Sequence, residues 1–272
     1  MEKKEERGSK QIEEHTAMNA QPIPLFSDEQ MASLSRKERK RLRRQGHTTN
    51  KKTGMRLRRI EPLTPAQEEV FECWYHDQNL LLHGAAGSGK TFLAVYLALD
   101  DIIHNQCDQK GIEIIRSVVP TRDMGFLPGN VKEKAKAYEA PYEAMASQLF
   151  GRGDAYSVLS GRQIINFTTT SYLRGTTFND KIIIVDEIQN MTFHELDSII
   201  TRLGENCRVI FCGDYHQSDL WRDNERDGIR RFMDIIRTIK GFDLIEFSHH
   251  DIVRSGLVKE YIISKIAYER EI

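Results

Sequence analysis

The stretch Leu80-Leu81-Leu82-His83 runs into Gly84-Ala85-Ala86-Gly87-Ser88-Gly89-Lys90-Thr91 and then into Phe92-Leu93-Ala94-Val95-Tyr96-Leu97-Ala98. An apolar strand, a glycine loop and an apolar helix follow one another in the order that a phosphate-binding loop requires. Glycines 84, 87 and 89 let the backbone turn tightly and aim its N–H groups at anionic oxygens, while the helix presents its positive end to them. On this reading the span from Gly84 to Thr91 cradles a nucleoside triphosphate, with ATP expected. Lys90 bridges the β and γ phosphates, and the Thr91 hydroxyl is a ligand for Mg2+.

Magnesium needs a second anchor. The strand Ile182-Ile183-Ile184-Val185 is apolar throughout and ends in Asp186-Glu187. Asp186 is the expected metal carboxylate, and Glu187 the group that orients or deprotonates an attacking water. Taken alone, an acidic pair after a strand also suits a helix N-cap; the upstream glycine loop favours the metal reading. A further strand, Arg208 to Cys212, ends in Gly213-Asp214 and reaches Gln217. The Gln217 amide suits a sensor of the γ-phosphate, since it can bond both water and phosphate, although a plain polar turn reads similarly.

Strands are expected near Asn79 to Gly84, Ile112 to Val119, Ile164 to Tyr172, Lys181 to Asp186, Arg208 to Gly213 and Leu244 to Phe247, with helical patterns between most of them. Strands without a polar face, alternating with helices, indicate an α/β fold: a mostly parallel sheet with helices on both faces and functional loops at the carboxyl ends of its strands.

The chain has 272 residues, 39% of them hydrophobic, which suffices for one α/β domain and an appendage. No apolar run is long enough to span a bilayer, and the N-terminus lacks the apolar core of a secretory signal, so a cytoplasmic location is expected. Cys73, Cys107, Cys207 and Cys212 match no zinc or redox spacing and are expected to be reduced. The formal charge of -1 conceals an asymmetry. Between Arg36 and Arg59 twelve Lys or Arg face a single acid, Glu38, leaving the rest of the chain acidic. The expected organisation is a basic arm over residues 1–60 and a nucleotide-binding domain over 61–272. The arm, poor in large apolar residues and dense in charge, is expected to be partly disordered, with one local helix starting at Ser27-Asp28-Glu29 and running toward Arg44.

These motifs resemble those of the PhoH family of ATPases, which is related to the first RecA-like domain of superfamily 1 helicases. The resemblance rests on the glycine loop, Gly125-Phe126-Leu127-Pro128-Gly129, Ala140-Pro141-Tyr142, Tyr172-Leu173-Arg174-Gly175-Thr176, Val185-Asp186-Glu187-Ile188-Gln189-Asn190, Thr201-Arg202-Leu203-Gly204, Gly213-Asp214 with Gln217 and Asp219-Leu220, and Asp251-Ile252-Val253-Arg254. The compact form is similar to versions encoded by bacteriophages, which would place it in a host cytoplasm. The resemblance implies a single RecA-like P-loop NTPase domain and Mg-dependent ATP hydrolysis. It also implies a homo-oligomeric ring, expected to be a hexamer, and helicase-like work on RNA or single-stranded nucleic acid. Gln67 stands where related helicases keep a glutamine that reads the adenine edge; an ordinary surface glutamine is the other reading. A single domain lacks the arginine that a second RecA-like domain supplies. A neighbouring subunit's Arg254 is therefore the first candidate, with Arg202 and Arg174 behind it, although each also suits a structural ion pair. Arg122 and Arg174 fall in loops that face nucleic acid in helicase relatives.

The basic arm, with Arg41, Arg43 and Arg44 at its centre, suits neutralisation of nucleic-acid phosphates, and a solvated basic tail has the same composition. Interleaved aromatics are missing from it, so non-specific electrostatic attachment fits better than base stacking. A competing reading is an ATP-dependent switch or assembly factor that holds a protein partner without translocating.

Overall fold

The computed structural model describes residues 53–117, 131–173, 175–214 and 223–271. Six strands form one sheet: β1 (Asn79–Gly84), β2 (Gly111–Arg116), β3 (Ile165–Thr169), β4 (Lys181–Asp186), β5 (Arg208–Gly213) and β6 (Phe242–Phe247). Their order is β3-β2-β4-β5-β1-β6 and every pairing is parallel. All six expected strands are present. Two end earlier than the apolar pattern suggested, β2 at Arg116 and β3 at Thr169, where Thr170–Tyr172 tighten into a 3-10 turn.

Successive side chains of a strand point to opposite faces, so an apolar run must be buried on both. Leu80, Leu82, Ile112, Ile114, Ile182, Ile184 and Ile210 lie in one core. That core also takes residues of α1 (Pro65–Tyr75), α2 (Lys90–Ile103), α3 (Val131–Phe150) and α4 (Ala155–Gly161). Leu81, Ile183, Val185, Val209 and Phe211 fill the other with α5 (Phe193–Ile200) and α6 (Asp223–Arg237). A last helix, α7 (Gly256–Glu271), follows β6. This is the RecA-like P-loop architecture, with helices on both faces of the sheet.

The packed domain reaches upstream of Glu61. Met55 and Leu57 are buried in the first core, and the Arg58 N–H donates to the Leu149 carbonyl. The strand-like alternation of Met55 and Leu57 was obscured by the arginines between and after them.

Since all strands are parallel, their carboxyl ends share one edge, and the order sets the spacing along it. β5 lies between β1 and β4, which holds the ends of β1 and β4 two strand spacings apart, about 10 Å, room for a phosphate and a cation. On the other side β6 fixes where the loop begins. Gly84 has φ +110°, and a Cβ there would stand 2.1 Å from the Phe247 carbonyl oxygen. The next N–H, of Ala85, donates to that same oxygen at 2.8 Å. Gly84→Ala is therefore expected to destabilise the domain by about 3 kcal/mol, through backbone overlap and a strained φ, seen as a lower urea midpoint at unchanged slope.

Candidate active site at the carboxyl edge of the sheet

The glycine loop joins β1 to α2. Gly87 and Gly89 have φ of +76° and +86°, the left-handed region in which a side chain is strained. Gly89 is the N-cap of α2 and gives it no side-chain cap, so the first N–H groups of the helix remain available to a ligand of the loop. Ser88 is fully buried, and its hydroxyl donates to the Ala85 carbonyl, closing the loop on itself. The Lys90 ammonium folds into the same loop and donates to the carbonyls of Gly84 at 2.7 Å and Ala85 at 2.8 Å, with Ser88 Oγ at 3.3 Å. Burial lowers its pKa; the charges of Asp214, Glu187 and Asp186 oppose that shift. A buried cation whose hydrogen bonds end on neutral oxygens is poorly compensated, and an anion seated in the loop would complete it.

Thr91, at the start of α2, and Asp186, at the end of β4, meet across β5. Thr91 Oγ1 donates to Asp186 Oδ1 at 2.7 Å. The second carboxylate oxygen accepts from the Tyr142 hydroxyl, also at 2.7 Å. Tyr142 comes from α3, is buried, and burial followed by the Asp186 charge pushes its phenol well above the ordinary range, so it stays a donor. A hydroxyl and a single carboxylate are hard oxygen donors of the kind Mg2+ takes, with phosphates and water completing its octahedron. The residues present thus fit a phosphate with a small divalent cation.

Glu187 follows with φ 56° and ψ 47°, left-handed for a residue with a side chain, at a cost of about 1–2 kcal/mol. Burial, and then the neighbouring Asp186, raise its pKa; Arg116, with Nη2 at 3.9 Å, and the Gln189 amide oppose the rise. Gln189 Nε2 donates to Glu187 Oε2, and Gln189 Oε1 accepts from the Asp214 N–H at 3.0 Å. One amide thereby connects the candidate base to the end of β5. Gly213 leaves room for it, since a Cβ there would lie 2.6 Å from Gln189 Oε1. Sequence reasoning assigned no role to Tyr142, Gln189 or Arg116. The Tyr142 and Gln189 types were visible inside quoted motifs, but their partners were not.

Gln67 is buried behind the loop. Its Nε2 donates to the Ser88 carbonyl at 2.9 Å, and its Oε1 accepts from the Leu63 N–H at 2.8 Å. It braces the loop here, and contact with an adenine edge would require one of these bonds to be exchanged. Arg254 is exposed but not remote from its own loop. The Val253 N–H donates to the Gly87 carbonyl at 3.1 Å, and a Cβ on Gly87 would touch Arg254 Cγ at 2.8 Å. Within one chain the backbone bond to Gly87 lays the Arg254 side chain beside the loop. Arg202 spends its guanidinium on the carbonyls of Leu173 and Ser198, at 2.6 and 2.8 Å. Arg41, Arg43, Arg44, Arg122, Arg174 and Gln217 lie outside the described residues.

A family model described as PhoH-like protein matches residues 59–266. The chain belongs to the PhoH-like family. A PhoH-like protein of Bacillus subtilis is 35% identical over 205 residues, covering 75% of this chain and 63% of the relative. One from Synechocystis is 33% identical over 197 residues, covering 72% and 57%. The present PhoH-like chain thus spans less than two thirds of the length of these relatives. Among solved structures, the Hef helicase domain of Pyrococcus furiosus aligns with 68% of this chain and 38% of its own at 15% identity, with a TM-score of 0.38.

Proposed function

We propose that this PhoH-like chain binds ATP with Mg2+ on the span from Gly84 to Thr91 and hydrolyses it, within a ring of subunits, in work on RNA or another single-stranded nucleic acid. The observation that carries the reading is the hydrogen bond between Thr91 and Asp186, which brings a loop hydroxyl and a strand-end carboxylate to one point beside a buried lysine. Thr91 and Asp186 would hold Mg2+, which supplies charge neutralisation at the β and γ phosphates. Lys90 exchanges its bonds to loop carbonyls for phosphate oxygens. Glu187 takes the proton of a water whose oxygen bonds to the γ-phosphorus as the bridging oxygen leaves with ADP.

Gln217, downstream of the Gln189–Asp214 bond, is placed by sequence to sense whether the γ-phosphate is present. A neighbouring subunit's arginine completes the site in the ring, with Arg254 the first candidate and Arg202 and Arg174 behind it. The ring reading is supported by Leu257 and Tyr261 on α7, exposed at 81% and 68%, on the helix whose Ile262 approaches Gly87. The basic arm, through Arg41, Arg43 and Arg44, and Arg122, downstream of β2 in sequence, would meet the nucleic-acid backbone.

Single-stranded RNA is expected to raise the ATP hydrolysis rate, and deletion of residues 1–52 to weaken RNA binding and flatten its salt dependence. Rates with and without RNA, and RNA affinity across a salt series, test this. Unstimulated hydrolysis would favour the partner-switch alternative, and an unchanged salt slope would remove the arm from the function.

A further inference from the structure

We propose that Tyr142 is a positioning residue for the metal carboxylate, holding one oxygen of Asp186 so that only the other faces the cation site. The proposal rests on the reading of Thr91 and Asp186 as the magnesium anchors. Its basis is geometric. Asp186 is bonded on both oxygens, Oδ1 by Thr91 and Oδ2 by Tyr142, each at 2.7 Å. These donors come from different elements, α2 and α3, so the carboxylate plane is fixed from two directions.

Tyr142 itself has little freedom. It is 1% exposed, and its ring packs against Phe167 of β3 with centroids 5.7 Å apart. A tyrosine held this way presents its hydroxyl at one place. Thr91 is different, because when its oxygen serves a cation its proton must turn elsewhere, releasing Oδ1. The Tyr142 bond has no such competing duty and persists while Oδ1 turns to the cation or to its water shell.

This arrangement bears on metal choice. With Oδ2 held by the phenol, clamping a cation through both oxygens would make Oδ2 share its lone pairs between Tyr142 and the metal, so contact through Oδ1 alone is favoured. Mg2+ demands a compact octahedron and keeps several waters, so one carboxylate oxygen is enough; Ca2+ takes six to eight oxygens and readily accepts bidentate carboxylates. Tyr142 therefore favours the smaller ion by withholding the second oxygen. Groups that orient a metal ligand typically contribute 10–100-fold to metal affinity.

Tyr142→Phe keeps the ring and removes the bond. Binding of a non-hydrolysable ATP analogue is to be measured calorimetrically across Mg2+ and Ca2+ series, for wild type and variant, with thermal melts verifying that the variant is folded. The expected result is about a tenfold rise in the Mg2+ concentration needed for half-maximal binding, with a smaller change or a gain for Ca2+. Equal shifts for both ions, or no shift, would overturn the proposal while leaving the magnesium site standing. If wild-type binding of the analogue is itself independent of divalent cation, the parent reading and the proposal fall together. Thr91→Ala provides an internal contrast: it should weaken binding with either ion without moving the Mg2+/Ca2+ preference.

Discussion

Glu187→Gln should lower kcat for ATP hydrolysis by about 10²–10⁴-fold, the usual contribution of a positioned general base, while nucleotide binding survives. The substitution keeps the size of the side chain and removes its capacity to take a proton. Single-turnover hydrolysis separates the two effects, and a variant that hydrolyses at the wild-type rate would remove Glu187 from the chemistry. The pH profile carries the same information. Burial, then the Asp186 charge, hold the Glu187 carboxyl above its ordinary range, and a base works only when deprotonated. The acid limb of kcat/KM, which reports the free enzyme, should therefore sit above the usual carboxylate pKa and disappear in the variant.

Stability follows with a definite sign. Because the folded-state pKa is raised, charged Glu187 costs stability at pH values above it, and the cost is relieved as pH falls through that value. Glu187→Gln, which carries no charge, should thus be at least as stable as wild type at neutral pH. Slow hydrolysis could not then be ascribed to unfolding.

Arg208→Met is expected to cost about 3–5 kcal/mol of stability, the range for removing one partner of a buried ion pair. Arg208 stands at the amino end of β5, opposite the candidate site. Its guanidinium donates to Asp101 Oδ2 at 3.2 Å and to the carbonyls of Trp74 and Gln78 at 2.8 and 3.0 Å, and it lies 3.3 Å from the centroid of the Trp74 ring. Asp101, on α2, has a side chain only 1% exposed. Methionine restores apolar volume but leaves this carboxylate buried without its cation. Replacing Asp101 by leucine in the same chain should recover most of the loss, since the charge and its desolvation penalty go together. Urea melts of the two single variants and the double variant measure the coupling. Additive losses would mean that the pair has no linked energy.

Much of the architecture was legible because it is written in neighbouring residues. Strand interiors such as Ile182 to Val185 announce burial on two faces, and the loop from Gly84 to Thr91 carries its chemistry in consecutive positions. Strand ends were less legible: the apolar pattern ran past Thr169, but Thr170 donates to the Glu195 carboxylate, which also accepts from the N–H of Thr192, the N-cap of α5, and the chain turns there. Arginines at 56 and 58 disguised the two apolar anchors, Met55 and Leu57, that join the core.

By itself the sequence determined the α/β class, the phosphate loop and the acidic strand end, since each depends on periodicity or on residues adjacent in the chain. Tertiary structure alone decided that Tyr142 completes Asp186, that Gln189 joins Glu187 to Asp214, and that Arg254 lies on the Gly87 of its own chain. It also decided the left-handed turn at Glu187, which no glycine announces. The physical reason is the same in each case. Even the turn at Glu187 and its bond to Gln189 sit among segments far apart in sequence that meet at the carboxyl edge of the sheet, and that meeting depends on strand order and on the approach of backbones, neither of which has a local signature.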